Sequence, residues 1–266
     1  MYNPNELLNM LKEVPAMPNV IKHALDIMKD PDSSMKELAK IVSYDQSLST
    51  KVLTLVNSAY YGFSQQITSI QRGISLIGMS KTKNVIITVA MRPMLVNHGD
   101  KELWKHSIMA AVGCEHIAKY FKIMDPDEAF VIGFLHDLGK IVLNMKDPKV
   151  YEKVKEMALT NPNITEIEKT FFGSDHCQMG SLLAKQWQLP LLVNNAIKYH
   201  HNPNLSSMPA PCSLVYFVDK LVQENFDEAT IDKNIIKNLN INIDQPQILR
   251  DSIKSKAQLL LNELSS

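Results

Sequence analysis

The fold of this chain is decided by the stretch Phe130-Val131-Ile132-Gly133-Phe134-Leu135-His136-Asp137-Leu138-Gly139-Lys140. It begins as an apolar run typical of a buried helix and ends in three polar side chains, those of His136, Asp137 and Lys140. An imidazole and a carboxylate that are buried side by side destabilise a protein unless each has a partner. The pair therefore either satisfies itself by hydrogen bonding or binds a cation, and the rest of the sequence must distinguish the two.

The composition indicates a globular protein with no net charge. The 266 residues can form one large domain or two modest ones with a substantial core. Lys and Arg number 28, as do Asp and Glu, so net charge attracts neither nucleic acid nor an anionic membrane. No leader pattern opens the chain, and no stretch approaches the roughly 20 apolar residues of a membrane span. We expect a cytoplasmic protein that binds neither nucleic acid nor membrane.

Three cysteines, Cys114, Cys177 and Cys212, are scattered along the chain without a C-x-x-C spacing. Such usage fits a reducing compartment. We interpret all three as buried small hydrophobic residues, with a reactive thiol as the less favoured alternative.

Apolar residues recur at helical spacing along the whole chain. Leu48, Val52, Leu55 and Val56, for example, lie at i, i+4, i+7 and i+8, and Asp45 before them can cap their helix. The β-branched segment 85–89 could pass for a strand, but no partner strand is visible, so a helix is predicted there. With no period-2 run and no internal repeat, the sequence predicts an all-α protein.

A polar break at Asn97-His98-Gly99-Asp100 is the candidate domain boundary, after a helix expected to end before Pro93. It has the length of a short connection rather than of a flexible linker. The sequence thus predicts a helical N-terminal subdomain over residues 1–98, a second helical domain over 99–225 and a C-terminal helical extension over 226–266.

Five of the eight histidines fall at helix ends or helix starts in one half of the chain, together with two aspartates. These seven residues are His106, His136, His176, His200, His201, Asp137 and Asp219. Side chains that point inward from several rigid helices are how helical bundles build metal sites. Imidazole and carboxylate ligands suit Fe, Mn, Zn or Mg. Seven candidate ligands are too many for one tetrahedral zinc ion. They suit two ions about 3.5–4 Å apart that share a carboxylate ligand. Lys140 is close enough in sequence to contact a phosphate oxygen.

Part of this pattern resembles the HD superfamily of metal-dependent phosphohydrolases. His106, the pair His136-Asp137, and Asp219 resemble its H…HD…D signature. His176 and the pair His200-His201 resemble the second-metal ligands of its cyclic dinucleotide phosphodiesterase branch.

The resemblance is closer still to the HDOD family, the HD-related output domains of bacterial signalling. It covers roughly Leu7 to Gln223, with family motifs in both halves and in the right order. They are Val14-Pro15-Ala16-Met17-Pro18, Asp45 with Leu48, Val52-Leu53, Asn57-Ser58-Ala59, Leu103-Trp104-Lys105-His106-Ser107, Gly133 to Lys140, Trp187-Gln188-Leu189-Pro190 and His200-His201. Gln46 stands where the family usually has proline, and Gly73 where it usually has alanine.

The resemblance implies an HD-like helical domain packed with a helical N-terminal subdomain, and a ligand set for two metal ions. His106, His136, Asp137 and Asp219 would bind one ion, and His176, His200 and His201 the other, with Asp137 bridging. It also implies a regulatory role, since members of the family are mostly regarded as modules without demonstrated hydrolysis. The Gly-Tyr-Pro element of the phosphodiesterase branch is replaced here by the sequence Asn202 to Pro209, which argues against cyclic di-GMP cleavage.

Three hypotheses follow. The first is a bacterial signal-transduction module that acts through contacts with a partner protein and is tuned by a bound metal or nucleotide. The second is a metal-dependent phosphohydrolase of a nucleotide or cyclic dinucleotide, in which Asp137 positions the ions and Lys140 steadies the phosphate. The third is a fold relic without a ligand.

The remaining histidines are His23, His98 and His116, which have no carboxylate neighbour in a motif. We interpret them as hydrogen-bonded core residues.

Overall fold

The structure is a computed structural model that describes residues 4–29, 35–161, 163–241 and 245–265. Within these ranges every regular element is a helix and none is a strand, so the all-α prediction is confirmed. None of the helices in these ranges is long and apolar enough to cross a membrane. The α-helices are α1 (Pro4–Glu13), α2 (Asn19–Lys29), α3 (Met35–Ser43), α4 (Gln46–Val56), α5 (Ile70–Ile77), α6 (Met79–Met94), α7 (Lys101–Phe121), α8 (Pro126–Leu135), α9 (Gly139–Lys146), α10 (Pro148–Ala158), α11 (Ile164–Phe172), α12 (His176–Gln186), α13 (Leu191–Tyr199), α14 (Pro209–Val222), α15 (Lys233–Lys237) and α16 (Pro246–Ser265).

The chain folds into two compact units. One unit contains the described residues of Met1–Ala16 and Met94–Arg250, and the other contains those of Met17–Pro93 and Asp251–Ser266. The division into residues 1–98, 99–225 and 226–266 stays a prediction.

In the unit that contains residues 17–93, α3 packs against α2, α4 and α5. Helix α4 begins where the sequence predicts, because the Asp45 carboxylate accepts a hydrogen bond from the Leu48 N–H at 3.0 Å. Its apolar face is buried as expected from the spacing of Leu48, Val52, Leu55 and Val56. The amphipathic pattern of α4 therefore supplies these four residues to the core of this unit.

The end of α6 differs from the expectation. The helix continues through Pro93 to Met94 and is followed by a π-helix, Leu95–Gly99, where the sequence indicated a polar connection. Met94 and Leu95 are buried, and their apolar contacts stabilise helical backbone beyond Pro93. Pro93 lies in the last turn of α6, so its missing N–H removes a hydrogen bond only there. Asp100 then caps α7 by accepting a hydrogen bond from the Leu103 N–H at 2.6 Å.

In the unit that contains residues 94–250, two close helix crossings position the polar residues. Helix α8 packs on α7 at Gly133, where an added Cβ would lie 2.6 Å from the Ala110 carbonyl oxygen. Helix α9 packs on α12 at Gly139, where an added Cβ would meet the His176 carbonyl oxygen and lie 2.5 Å from the Gly180 nitrogen. Only glycine permits backbones to approach so closely. The crossings bring the end of α8 and the start of α12 to the same place in the core.

Candidate metal centre

The first donor set consists of His106 on α7, His136 and Asp137 at the end of α8, and Asp219 on α14. The His106 Nε2 atom lies 3.2 Å from His136 Nε2, 3.4 Å from Asp137 Oδ2 and 3.1 Å from Asp219 Oδ1. His136 Nε2 lies 3.3 Å from the same Asp137 oxygen. Four side chains from three helices thus direct ligand atoms at one point.

The second donor set consists of His176, the first residue of α12, and the pair His200 and His201 directly after α13. His176 Nε2 lies 3.2 Å from His200 Nε2 and 3.1 Å from His201 Nε2. These imidazoles also face the first set, because Asp137 Oδ1 lies 3.5 Å from His176 Nε2 and 3.8 Å from His200 Nε2.

Asp137 lies between the two sets. Its side chain is 2% exposed, with Oδ2 directed at the first set and Oδ1 at the second. The seven residues singled out in the sequence therefore converge on one buried cluster. Their role as metal ligands stays a prediction, with the bridging position of Asp137 as its geometric basis.

The ring orientation of three histidines is fixed by hydrogen bonds on the far side from the cluster. His136 Nδ1 donates to the Gly133 carbonyl at 2.7 Å, His200 Nδ1 donates to the Ile197 carbonyl at 2.9 Å, and His176 Nδ1 donates to Glu168 Oε2 at 2.6 Å. Because Nδ1 carries the hydrogen, the Nε2 lone pair of each neutral ring faces the cluster. Metal-binding histidines are typically oriented in this way.

These spacings fit shared divalent ions. Two Nε2 lone pairs that face each other at 3.1–3.2 Å repel unless a proton or a cation lies between them. Metal–nitrogen bonds are about 2.0–2.1 Å long, so two nitrogens on one ion lie at most about 4.2 Å apart. The observed separations are below that limit, and the donors are imidazoles and carboxylates, so the residues present fit divalent metal ions.

Glu168 on α11 contacts the cluster and was not singled out from the sequence. It is fully buried, and its Oε2 accepts hydrogen bonds from both the ring Nδ1 and the backbone N–H of His176, the latter at 2.9 Å. Its Oε1 accepts from the Tyr151 hydroxyl at 3.4 Å. Its spacing from Ile164 places Glu168 on the buried face of α11 and Glu166 off it, but the bond to His176 follows only from the packing of α11 against α12.

We expect Glu168→Gln to weaken metal binding at the second set by about 10–100-fold, because an amide orients the imidazole of His176 but no longer supports it with negative charge. Competition with a chromophoric chelator measures this affinity. Glu166→Gln is the matched control on the same helix, since Glu166 is exposed and pairs with Lys169 at 2.8 Å. Equal metal affinities in the two variants would contradict the role of Glu168.

Burial and neighbouring charges shift the titration of the cluster. Burial lowers the pKa of His136, but the charge of Asp137 more than offsets this effect and leaves it above its ordinary value. For His176 the Glu168 carboxylate likewise outweighs burial, and its pKa lies well above the ordinary value. Burial raises the pKa of Asp137, but His136 and Lys140 hold it well below its usual range. Burial and the charge of His176 lower the pKa of His201 to about 3. A metal ligand must be a neutral imidazole, so protons and metal ions compete for these histidines.

Lys140 lies at the edge of the first donor set. Its Nζ donates to Asp137 Oδ2 at 2.6 Å, and its side chain is 21% exposed. Both residues, with His106, line a cavity of about 180 Å³. The same cavity is lined by Asp100 and Lys155, which form an ion pair at 2.9 Å. A small anion in this cavity would contact Lys140 directly.

The remaining histidines lie outside the cluster. His23 is exposed on α2, so its interpretation as a core residue is wrong. His98 and His116 are half-buried, and neither belongs to a group of possible metal ligands among the residues that the structure describes.

Comparison with known proteins agrees with this architecture. Residues 14–203 match the HDOD domain, and the chain belongs to the HDOD family. An uncharacterized protein of Treponema pallidum (strain Nichols) is 25% identical over 206 residues, which are 74% of this chain. This chain spans only 39% of the length of that relative.

Two crystal structures show the same fold. An HDOD domain protein of unknown function from Geobacter sulfurreducens has a TM-score of 0.79 and 21% identity, with 99% of each chain covered. A protein described as a candidate phosphohydrolase from Shewanella amazonensis SB2B has a TM-score of 0.74 and 21% identity, with 97% of each chain covered. At these identities the likeness extends to the fold alone.

Proposed function

We propose that this chain is a metal-binding regulatory module of signal transduction that acts through contacts with a partner protein. One observation carries the metal-binding part of the proposal: Asp137 directs one carboxylate oxygen at each of two histidine sets. Bound ions would join α7, α8, α12 and α14 at their common centre. A metal in that position stabilises one arrangement of the helices without any turnover.

The surroundings of the cluster favour a regulatory role over turnover of a large nucleotide. The cavity beside Asp137 has a volume of about 180 Å³. Pockets for drug-sized ligands are larger, about 300–1,000 Å³. Lys140, the nearest cation, is engaged with Asp137. The segment after His201 forms a short 3-10 turn, Pro203–Leu205, in place of a Gly-Tyr-Pro element.

The second candidate function is hydrolysis of a small phosphate ester. The position of Lys140 favours it, since Nζ lines the cavity within 2.6 Å of the shared carboxylate. Divalent ions bound here would supply Lewis-acid chemistry for phosphoryl transfer. Asp137 would orient both donor sets. Lys140 would release the Asp137 carboxylate and bind a phosphate oxygen in its place. The name of the Shewanella protein agrees with this alternative.

A pair of variants separates the two functions. Asp137→Ala removes the shared ligand, whereas Lys140→Met removes only the cation that would hold a phosphate. In the native host, we expect Asp137→Ala to reproduce the phenotype of a gene deletion and Lys140→Met to retain function. If both variants reproduce the deletion, the regulatory proposal fails and the phosphohydrolase gains support.

The same variants test turnover in solution. We expect metal-loaded protein to leave nucleotides, cyclic dinucleotides and small phosphate esters intact. Metal-dependent release of phosphate that disappears in Asp137→Ala, and falls by about 10²-fold or more in Lys140→Met, would establish the second candidate instead.

A further inference from the structure

A larger cleft lies in the unit that contains residues 17–93 and 251–266. Side chains of α4, α6 and α16 line it, and its volume is about 770 Å³. The cavity beside Asp137, in the other unit, has a volume of about 180 Å³. Pockets that bind small molecules have volumes of about 300–1,000 Å³. The cleft is therefore large enough for a ligand that the cavity beside Asp137 cannot enclose.

Two cations line this cleft, Lys51 on α4 and Arg92 on α6. Arg92 is half-buried, and its Nε atom is buried without a hydrogen-bond partner among the described residues. Within the same part of the chain, neither cation forms a hydrogen bond or an ion pair through its side chain. A buried donor without a partner destabilises a folded protein. Arg92 is thus not held by structural pairing, and its charge is available to an anion in the cleft.

Polar and apolar groups of the cleft surround the two cations. Ser47, Lys51 and Thr54 lie at i, i+4 and i+7 on α4 and form one exposed face of that helix. Val89 on α6 and Leu264 on α16 are buried residues that supply an apolar wall. The cleft thus combines a site for an anion with hydroxyl groups and an apolar surface.

One carboxylate, that of Glu263 on α16, also lines the cleft. With two cations and one carboxylate, the lining carries one net positive charge. This balance disfavours a highly charged polyanion. It suits a ligand that has a single phosphate together with hydroxyl or amino groups that can donate to Glu263.

We propose that this cleft binds a mononucleotide. The guanidinium of Arg92 and the ammonium of Lys51 bind the phosphate, since arginine pairs with phosphate in a bidentate manner and lysine acts as a point charge. The base lies against Val89 and Leu264, and Glu263 accepts a hydrogen bond from the ribose or the base. The site belongs to the unit that does not contain the histidine cluster, so this inference does not depend on the proposed metal binding. It gives the regulatory module a small-molecule input.

Equilibrium dialysis of the full-length protein, as purified, tests the proposal with labelled AMP, GMP, CMP, UMP, cyclic AMP and cyclic GMP as probes. We expect at least one of them to bind at one site per chain. Arg92→Met should weaken that binding by about 10–100-fold, because a hydrogen bond to a charged group is lost. Arg72→Met is the matched control and should retain the affinity of the wild type. Arg72 lies on α5, donates to Gln65 at 3.3 Å and does not line the cleft.

Thermal unfolding separates a ligand-binding role of Arg92 from a structural one. Because Arg92 Nε has no partner to lose, Arg92→Met should leave Tm unchanged or raise it. A fall in Tm together with unchanged nucleotide binding overturns the proposal in favour of a structural role.

Three further results would overturn the assignment. The first is a wild-type protein that binds none of the six nucleotides. The second is binding that survives in Arg92→Met and disappears in Asp137→Asn, which places the nucleotide at the histidine cluster. The third is displacement of the nucleotide by an equal concentration of inorganic phosphate, which shows that the cleft recognises only a lone anion.

Discussion

Gly139→Ala is expected to destabilise the protein by about 3 kcal/mol, although alanine normally stabilises a helix relative to glycine. The added Cβ would meet the His176 carbonyl oxygen and lie 2.5 Å from the Gly180 nitrogen, and both of these are backbone atoms. Helices α9 and α12 must separate to admit it. A loss of this size lowers Tm by roughly 6–12 °C, which calorimetry or circular dichroism measures.

Gly73→Ala is the matched control for this substitution. Gly73 also lies in a helix, α5, but an added Cβ there would make its nearest contact with Val56 at an ordinary 3.5 Å. We expect Gly73→Ala to leave the free energy of unfolding unchanged or to raise it by up to about 1 kcal/mol. Equal effects of the two substitutions would show that the close crossing of α9 and α12 is not required.

Asp137→Asn is expected to remove metal from both donor sets. The substitution keeps the volume of the side chain but removes the negative charge that both sets share. Outer-shell partners alone change metal affinity by about 10–100-fold, so loss of a shared ligand should exceed about 100-fold. Metal bound per chain, measured by elemental analysis after dialysis, should fall from about two ions to none.

Two variants control for this result. Asp147→Asn changes a helix-capping aspartate at the start of α10, where asparagine caps equally well, and should retain both ions. His201→Ala removes a donor from the second set only and should reduce binding of one ion. If Asp137→Asn retains one tightly bound ion, Asp137 does not bridge the two sets.

The sequence predicted the helices well where a local pattern determines them. Asp45 begins α4, because capping depends on one residue and its immediate neighbours. The path through Pro93 could not be predicted in this way. It depends on the burial of Met94 and Leu95 and on the packing of the π-helix Leu95–Gly99 against α7 and α9.

The candidate site shows the same distinction. The structure brings together seven residues, as the family resemblance implies for a shared ligand set: His106, His136, Asp137, His176, His200, His201 and Asp219. Glu168 lies outside that resemblance, and only the packing of α11 on α12 reveals its hydrogen bond to His176. Cys114, Cys177 and Cys212 are buried, as the sequence predicts.

We infer that this cluster binds metal, and the metal content of the wild-type protein tests this most directly. The protein should be purified without a chelator and then reloaded separately with Zn²⁺, Fe²⁺ and Mn²⁺. We predict about two ions per chain, with stoichiometric binding lost in His136→Ala. A folded wild-type protein that is metal-free as purified, and that binds none of the three ions on reloading, would contradict the account.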